Sequence, residues 1–333
     1  MVTRLILDTD IGTDVDDCLA IAVLLGSPEI ELVGVTCVYG DVHLRARMVQ
    51  KLLRLAGRDG IPVMVGAEQS LTGERDVYWA GHEGEGLLEE GDEGLTPDPE
   101  PAVDYLIRMA REQPGELHLL AIGPLTNIAL ALQQEPRLFD LYRSVTIMGG
   151  AQRGPGGLGL PYGEHNFVCD PEAAAVVFSA ESAVPPTLIP LDVTTRVVIR
   201  RDDIARIRAV GTPFLDAVAE QVERYPRFAS GGSTQLHDPL AAAAVIAPLL
   251  LDTVPLTVDI VTAGAVGEGA SLMRLPREGN RATASVALAV DSGPTERFII
   301  DLIAGPTTVA ADGGDMAAVA YGGRPGPNPV PRG

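Results

Sequence analysis

The sequence of 333 residues is poor in positive charge, and above all in lysine. Lys51 is the only lysine; Lys and Arg together number 25 against 45 Asp and Glu, which gives a formal net charge of −20. Such an acidic surface repels phosphate polyanions. We therefore expect neither nucleic acid nor an anionic membrane as a partner.

Long apolar runs and a complete set of paired cysteines are also missing. No unbroken apolar stretch reaches the roughly 18 residues of a membrane helix. The first residues lack the apolar region and the small-residue cleavage site of a secretory signal. Cys18, Cys37 and Cys169 cannot all pair, and their apolar neighbours indicate buried free thiols. These features predict a cytoplasmic protein.

What the sequence does contain is a regular alternation of two patterns, within a composition that is 46% apolar. Short apolar runs alternate with helical patterns such as 17–25, 43–56 and 125–133. This alternation predicts a single α/β domain over residues 1–321, with a doubly wound, mainly parallel sheet and helices on both faces. A Pro/Gly-rich tail follows at 322–333. The predicted strands are 4–7, 31–38, 63–65, 117–122, 145–148, 187–193, 256–262 and 284–290, with 297–304 undecided.

Five carboxylates fall within ten residues around the end of the first predicted strand: Asp8, Asp10, Asp14, Asp16 and Asp17. A helix N-terminus stabilises each nearby charge by only about 0.3–1 kcal/mol, so a divalent cation explains this crowding better than capping or solvated turns. The available ligands are oxygens, without His or Cys at metal-binding spacing. This favours Ca²⁺ or Mg²⁺ over Zn²⁺.

Other polar segments also follow predicted strands. In a doubly wound sheet, ligands bind beyond the carboxyl ends of the strands. We therefore expect a site at this C-terminal rim of the sheet. The segments that would meet there are Asp10, 40–41, 123–127, 149–150 and Asp192.

Several motifs, in this order, resemble the nucleoside hydrolase family of the inosine–uridine-preferring type, from Asp8 to about residue 300. The first is Asp8-Thr-Asp10 followed by Asp16-Asp17, with extra residues before the Asp pair. The others are Ile122-Gly-Pro-Leu-Thr-Asn127, Met148-Gly-Gly-Ala151, Glu164-His-Asn166 with Asp170-Pro-Glu172, Leu191-Asp-Val-Thr194 and His237-Asp-Pro-Leu-Ala241.

The resemblance implies a calcium-dependent hydrolase that cuts the N-glycosidic bond of a ribonucleoside or related N-riboside. It implies Ca²⁺ ligands at Asp10, Asp17, Asp238 and the carbonyl of Thr126. Substrate contacts would come from Asp16, Asn166, Glu164, Met148 and Asp238, with Glu164 at the 5′ end of the ribose. The family also forms homo-oligomers, so we expect a dimer or tetramer that acts on a small-molecule substrate.

The chemistry of N-ribosyl cleavage independently requires these residue types. N-ribosyl cleavage passes through an oxocarbenium-like cation, which a carboxylate-rich pocket stabilises. By resemblance, Asp10 is the general base for the attacking water, which the metal binds. His237 is the first candidate for the group that assists the leaving base, and His82 is the second. We expect structural roles for His43, His118 and His165.

Two positions depart from the family pattern. Asp41 stands where the family commonly has an Asn near the ribose, and we expect it to contact the substrate. Leu158 lies near the place of a second polar contact to the 5′ group. Losing a hydrogen-bond partner there costs about 1–3 kcal/mol of discrimination, so the substrate's 5′ group is left open, as is its base.

Two other functions remain possible at this point. Haloacid-dehalogenase-type phosphatases also carry Asp-x-Asp after their first strand, here Asp8 and Asp10, but they need a lysine, and Lys51 is the sole candidate. A non-catalytic protein of the same fold that binds a ribosyl ligand is the other alternative.

Overall fold

The computed structural model describes residues 2–153, 162–264 and 267–306. Leu158 and the tail 322–333 lie outside this range. The strands are β1 Thr3–Thr9, β2 Ile30–Cys37, β3 Val63–Val65, β4 Leu117–Ala121, β5 Ser144–Met148, β6 Thr187–Ile189, β7 Val198–Arg200, β8 Ser233–Gln235, β9 Leu251–Ile260, β10 Ser271–Arg274 and β11 Ala284–Val290. The helices are α1 Asp16–Gly26, α2 Val42–Leu55, α3 Ala102–Glu112, α4 Thr126–Gln134, α5 Leu138–Leu141, α6 His165–Cys169, α7 Pro171–Ser179, α8 Leu191–Thr194, α9 Arg201–Ala209, α10 Pro213–Arg224, α11 Pro226–Gly231, α12 His237–Ile246 and α13 Ser292–Ala304.

Nine strands form one sheet in the order β10-β9-β11-β6-β5-β4-β1-β2-β3. The seven strands from β11 to β3 pair in parallel, and only β9 and β10 run antiparallel to their neighbours. Strand β1 lies between β2 and β4, so the residues that follow it emerge between two other strand ends. This mainly parallel sheet confirms the predicted fold class.

Both faces of the sheet are covered by helices. In β1, Leu5 and Leu7 belong to one core cluster, together with residues of α1, α2, α12 and α13. Ile6 points the opposite way, into a second cluster that includes residues of α3, α4 and α7. Successive strand side chains face opposite sides, which explains why the buried strands read as unbroken apolar runs.

The structure corrects the sequence-based elements in two places. The predicted strand 187–193 ends at Ile189, because Pro190 has no N–H to donate, and the helical turn α8 follows. Asp192 therefore lies in a helix rather than at a strand end. The undecided segment 297–304 belongs to α13, whose buried Ile299, Ile300 and Ile303 have helical spacing.

Across the described residues, no helix is both long and apolar enough to cross a membrane. Cys18, Cys37 and Cys169 are buried free cysteines, as their apolar neighbours predicted.

Candidate active site

A cavity of about 900 Å³ opens beyond the carboxyl ends of the central parallel strands. Asp10 follows β1, Ile122 follows β4 and Met148 ends β5; all three line the cavity. The first turns of α1 and α12, the short helices α6, α8 and α11 and the loop around His82 also contribute to its walls. The site therefore lies at the C-terminal rim of the sheet, as the sequence predicted.

Asp16, Asp17 and Asp238 bring three carboxylates together on the floor of this cavity. One oxygen from each lies within 4.8 Å of the others, and all three side chains are buried. Asp16 and Asp17 are in the first turn of α1, and Asp238 is in the first turn of α12, which packs against α1. The positive ends of two helix dipoles thus face one acidic group.

Burial and mutual repulsion make these carboxylates hard to ionise without a cation. Burial raises the pKa of Asp16, Asp17 and Asp238 well above the usual value, and the neighbouring carboxylates raise it further. Burial likewise raises the pKa of Asp10, which is near enough to Asp17 to add to its repulsion. A buried all-oxygen group of this kind fits a hard divalent cation.

Arg45 provides a fixed positive charge behind Asp10. Its side chain is fully buried, donates to the carbonyls of Tyr39 (2.6 Å), Asp10 and Ile11 (2.6 Å), and lies over the Trp79 ring. Its charge lowers the pKa of Asp10 and Asp17, opposing the effect of burial. One guanidinium does not balance four carboxylates, so the need for a further cation remains.

A layer of hydrogen bonds beneath the floor holds the strand ends in place. Asn127 of α4 donates to Asp8 Oδ1 (2.8 Å) and to the Cys37 carbonyl (3.2 Å), and its Oδ1 accepts from Ala67 N–H (2.9 Å). Thr36 donates to the same Asp8 oxygen at 2.5 Å. This network ties β1, β2, α4 and the segment after β3 together, two residues before Asp10.

Gly123 allows the segment before α4 to approach Asp10 closely. A Cβ at this position would lie 2.9 Å from Asp10 Oδ1 and 3.0 Å from Asp10 N. Thr126, three residues further on, is buried and donates its hydroxyl to Asp170 Oδ2 at 2.6 Å. Thr126 is not among the residues that line the cavity, and its backbone carbonyl as a metal ligand stays a prediction.

Glu164, Asn166 and Met148 form another wall of the cavity. The Glu164 carboxylate caps α6, accepting from Asn166 N–H (2.9 Å) and Phe167 N–H (3.3 Å), and also accepts from Gly150 N–H (2.9 Å). Asn166 donates its amide to the carbonyls of Ile122 (2.9 Å) and Met148 (3.2 Å). Its amide oxygen is then the atom available to a ligand.

Both predicted histidines line the cavity. His237 begins α12, next to Asp238, and its Nδ1 is 2.7 Å from Thr194 Oγ1. Burial lowers the pKa of His237 to about 4. The His82 Nε2 atom lies 3.2 Å from the Thr13 carbonyl, in a loop that Glu83 holds through the N–H groups of Ala80 and Gly81.

Comparison with known proteins now identifies the family, because the model of the inosine-uridine preferring nucleoside hydrolase matches residues 5–297. The chain belongs to this family. A pyrimidine-specific ribonucleoside hydrolase RihA from Salmonella arizonae is 35% identical over 320 residues, covering 91% of this chain and 98% of the relative. The RihA of Citrobacter koseri is 33% identical over 321 residues, covering 91% and 97%.

Solved structures of other nucleoside hydrolases agree in fold. A purine-preferring ribonucleoside hydrolase from Gardnerella vaginalis matches with 30% identity and a TM-score of 0.80, covering 91% of this chain and 98% of that one. A plant nucleoside hydrolase matches with 27% identity and a TM-score of 0.81, covering 92% and 100%. The predicted family and the predicted enzyme class, a hydrolase of ribonucleoside N-glycosidic bonds, are confirmed. The relatives differ in the base they prefer.

The nucleoside hydrolase family excludes the phosphatase alternative, and the structure gives the physical reason. Lys51 donates to Glu89 Oε2 (3.0 Å) and Asp92 Oδ2 (2.8 Å) and does not line the cavity. It is therefore not placed to neutralise a phosphorylated Asp8.

Asp41 is the one predicted site residue within the described part of the chain that lies exposed on the protein surface. Its side chain is exposed and caps α2 by accepting from Leu44 N–H at 2.8 Å, and it does not line the cavity. A substrate contact from Asp41 stays a prediction that this position does not favour.

Sequence reasoning missed several residues of this nucleoside hydrolase site. His165, expected to be structural, lines the cavity, and its charge lowers the pKa of Asp10. Tyr225 donates its hydroxyl to Asp14 Oδ2 at 2.8 Å, and both line the cavity. The position of His165 between Glu164 and Asn166 was a usable signal for it. Nothing local marks Arg45 or Tyr225.

Proposed function

We propose that this nucleoside hydrolase holds one Ca²⁺ at Asp10, Asp17, Asp238 and the Thr126 carbonyl, and cleaves ribonucleosides to ribose and free base beside it. The observation that carries the proposal is that oxygens of Asp17 and Asp238 lie within 4.8 Å of each other and of Asp16, and that the charge of Asp10 raises the pKa of both Asp17 and Asp238. Carboxylate and carbonyl oxygens suit Ca²⁺, which accepts six to eight such ligands. When bound, the ion supplies positive charge that lowers the pKa of water and binds sugar hydroxyls.

Asp10 acts as the general base. Its carboxylate lines the cavity at the end of β1, with Gly123 leaving it room and Arg45 fixing the loop behind it. Arg45 also favours the ionised form of Asp10, which a base requires. A base in this position takes the proton from the attacking water as the water approaches the anomeric carbon.

The remaining carboxylates stabilise the ribosyl cation and hold the sugar. Positive charge develops on the ribose as the N-glycosidic bond breaks, and a preorganised acidic floor stabilises it without reorganising. Asp16 and the amide oxygen of Asn166 are the acceptors that we assign to the ribose hydroxyls. Glu164 is already held by three backbone N–H groups, so its charge is fixed beside the 5′ end.

His237 assists the leaving base by donating a hydrogen bond. With its pKa lowered to about 4, the imidazole is neutral at neutral pH. When the Thr194 hydroxyl donates its hydrogen bond to Nδ1, the single proton of the neutral ring is on Nε2. Nε2 is then the hydrogen-bond donor toward the cavity. A neutral donor of this kind stabilises negative charge on a departing base. His82 is the second candidate for this role.

A reducing-sugar assay across purine and pyrimidine ribonucleosides, with Ca²⁺ and after chelation, tests the function. We expect ribose release that chelation abolishes and Ca²⁺ restores. The surface variant Asp216→Asn is the control for the aspartate variants below, because Asp216 is exposed on α10. Nucleoside binding without ribose release at high enzyme concentration would instead support the non-catalytic alternative. The cytoplasmic location and the homo-oligomeric state remain predictions.

A further inference from the structure

We propose that Arg196 and Arg227 form an anion-binding wall beside His237 that selects ribonucleosides whose base carries a carboxylate. The proposal rests on the proposed function above and adds the substrate class. Both arginines line the same cavity as the acidic floor. The cavity is therefore polarised, with carboxylates on the floor and guanidinium groups on one wall.

The two arginines belong to the His237 side of the cavity. Arg196 is two residues beyond the end of α8, and the Oγ1 atom of Thr194 in α8 is 2.7 Å from Nδ1 of His237. Arg227 is in α11 and donates to Gln235 Oε1 at 2.7 Å; Gln235 is two residues before His237 and also lines the cavity. This wall therefore faces the base that His237 assists.

Neither guanidinium forms an ion pair within the part of the chain that the structure describes. Two other arginines close to them in sequence do form ion pairs. Arg200 pairs with Glu296 at 2.7 Å, and Arg224 pairs with Glu220 at 2.8 Å. In a chain with a formal charge of −20, arginines that face a cavity without a carboxylate partner are available to an anionic ligand.

The nearby carboxylates do not remove this capacity. Asp14 accepts from Tyr225 (2.8 Å) and from Val15 N–H (2.6 Å), and Asp192 accepts from Gln152 N–H (2.7 Å). These hydrogen bonds hold both acids in place. A guanidinium binds a planar carboxylate through two parallel hydrogen bonds, which makes it selective for that group.

The same charges decide where on the substrate the anion belongs. With the assignment above, a 5′-phosphate would lie beside the buried carboxyl group of Glu164, which offers it no positive charge. A carboxylate on the edge of the base away from the ribose would instead extend toward Arg196 and Arg227. We therefore place the anionic group on the base.

The test compares 5-carboxyuridine with 5-carbamoyluridine, which have nearly the same shape and differ in charge. We expect the wild-type enzyme with Ca²⁺ to show at least about tenfold higher kcat/KM for the carboxylate. Arg227→Gln and Arg196→Gln should each reduce that ratio severalfold, and Arg227→Lys should retain part of it. Arg58→Gln is the matched control, because Arg58 is exposed outside the cavity and its loss changes the charge equally.

Several outcomes would overturn the proposal. One is an equal kcat/KM of the wild-type enzyme for the two nucleosides. Another is a ratio of the two kcat/KM values that neither Arg227→Gln nor Arg196→Gln changes. Faster cleavage of uridine 5′-monophosphate than of uridine would show that the anionic group of the substrate is on the sugar and not on the base. If no nucleoside releases ribose, the proposed function fails separately, and calorimetric binding of the same pair to the wild-type protein with Ca²⁺ still decides whether the wall prefers the carboxylate.

Discussion

Two groups of buried carboxylates in this protein differ in what neutralises them. Asp170 accepts from Leu71 N–H (2.6 Å), Thr126 Oγ1 (2.6 Å) and Ala173 N–H (3.0 Å), and Glu164 accepts from three backbone N–H groups. Asp10, Asp16, Asp17 and Asp238 are equally buried, but they have far fewer protein donors.

The comparison separates a structural acid from a functional one. A buried carboxylate with several N–H or O–H donors is stabilised by the protein itself. Four buried acids that share few donors are stable in their ionised form only when a ligand brings positive charge. Asp170 is of the first kind and positions loops, and the second kind comprises the acids that we propose bind the metal.

Asp10→Ala provides the strongest test of this distinction. It removes both the base and a metal ligand, so we expect kcat to fall by at least about 10³-fold, since general-base catalysis alone contributes about 10²–10⁴-fold. Far-ultraviolet circular dichroism should be unchanged. Asp216→Asn should keep wild-type kcat, and wild-type kcat in Asp10→Ala would remove Asp10 from the mechanism.

His237→Ala tests whether the leaving-group donor lies outside the acidic group. We expect kcat/KM to fall by about 10²-fold for a nucleoside with a poor leaving group, in line with a lost positioned donor. An aryl riboside with an activated leaving group needs little assistance and should lose much less. Equal slowing of both substrates would show that His237 only supports the fold.

Calcium should stabilise the folded protein through the donor-poor group. At a free Ca²⁺ concentration of 100 times Kd, linkage predicts about 2.7 kcal/mol of added stability, which raises Tm by several degrees for a domain of this size. Asp17→Asn should lose most of the rise, whereas Asp216→Asn should keep it. A similar rise in Asp17→Asn would place the ion elsewhere.

Asp8 is intermediate between the two groups and predicts the smallest effect. Burial raises its pKa from 3.8 to about 7, although Asn127 and Thr36 donate to it. The folded protein therefore holds a proton that the unfolded chain has released, so Asp8 lowers the free energy of unfolding as pH rises from about 4 to about 7. Its contribution is at most about 1.4 kcal/mol per pH unit.

Asp8→Asn should remove that part of the pH dependence. Urea unfolding at pH 5, 6 and 7, with chelator present to exclude the metal, measures the slope for both proteins. An identical slope in wild type and Asp8→Asn would mean that Asp8 titrates near its ordinary pKa in the folded state.

Much of the fold could be predicted from the sequence because the strands are buried on both faces. The apolar runs predict the strands β1 and β4, and the helical periodicity of apolar residues predicts the helices α1 and α2. The short strands β7, β8 and β10 carry too few apolar positions for such a signal. The error at 187–193 came from extending an apolar run through Pro190.

The candidate site was predictable where its residues share a motif, and less so where they come from separate elements. Asp10, Asp16, Asp17 and Asp238 lie in motifs and meet in the cavity. Arg45 and Tyr225 reach the site through helix packing that no local pattern records. Asp41 illustrates the opposite case, because a residue after a strand can turn outward to cap the next helix.

The packing of α1 against α12 also fixes when the site can exist during synthesis. The ribosome makes Asp10, Asp16 and Asp17 first, and about 220 more residues must follow before Asp238 is added. A growing chain therefore carries the acidic loop long before it carries the complete set of ligands. With the ligand set that we propose, ion binding has to wait for Asp238, so it would report that α12 has packed against α1.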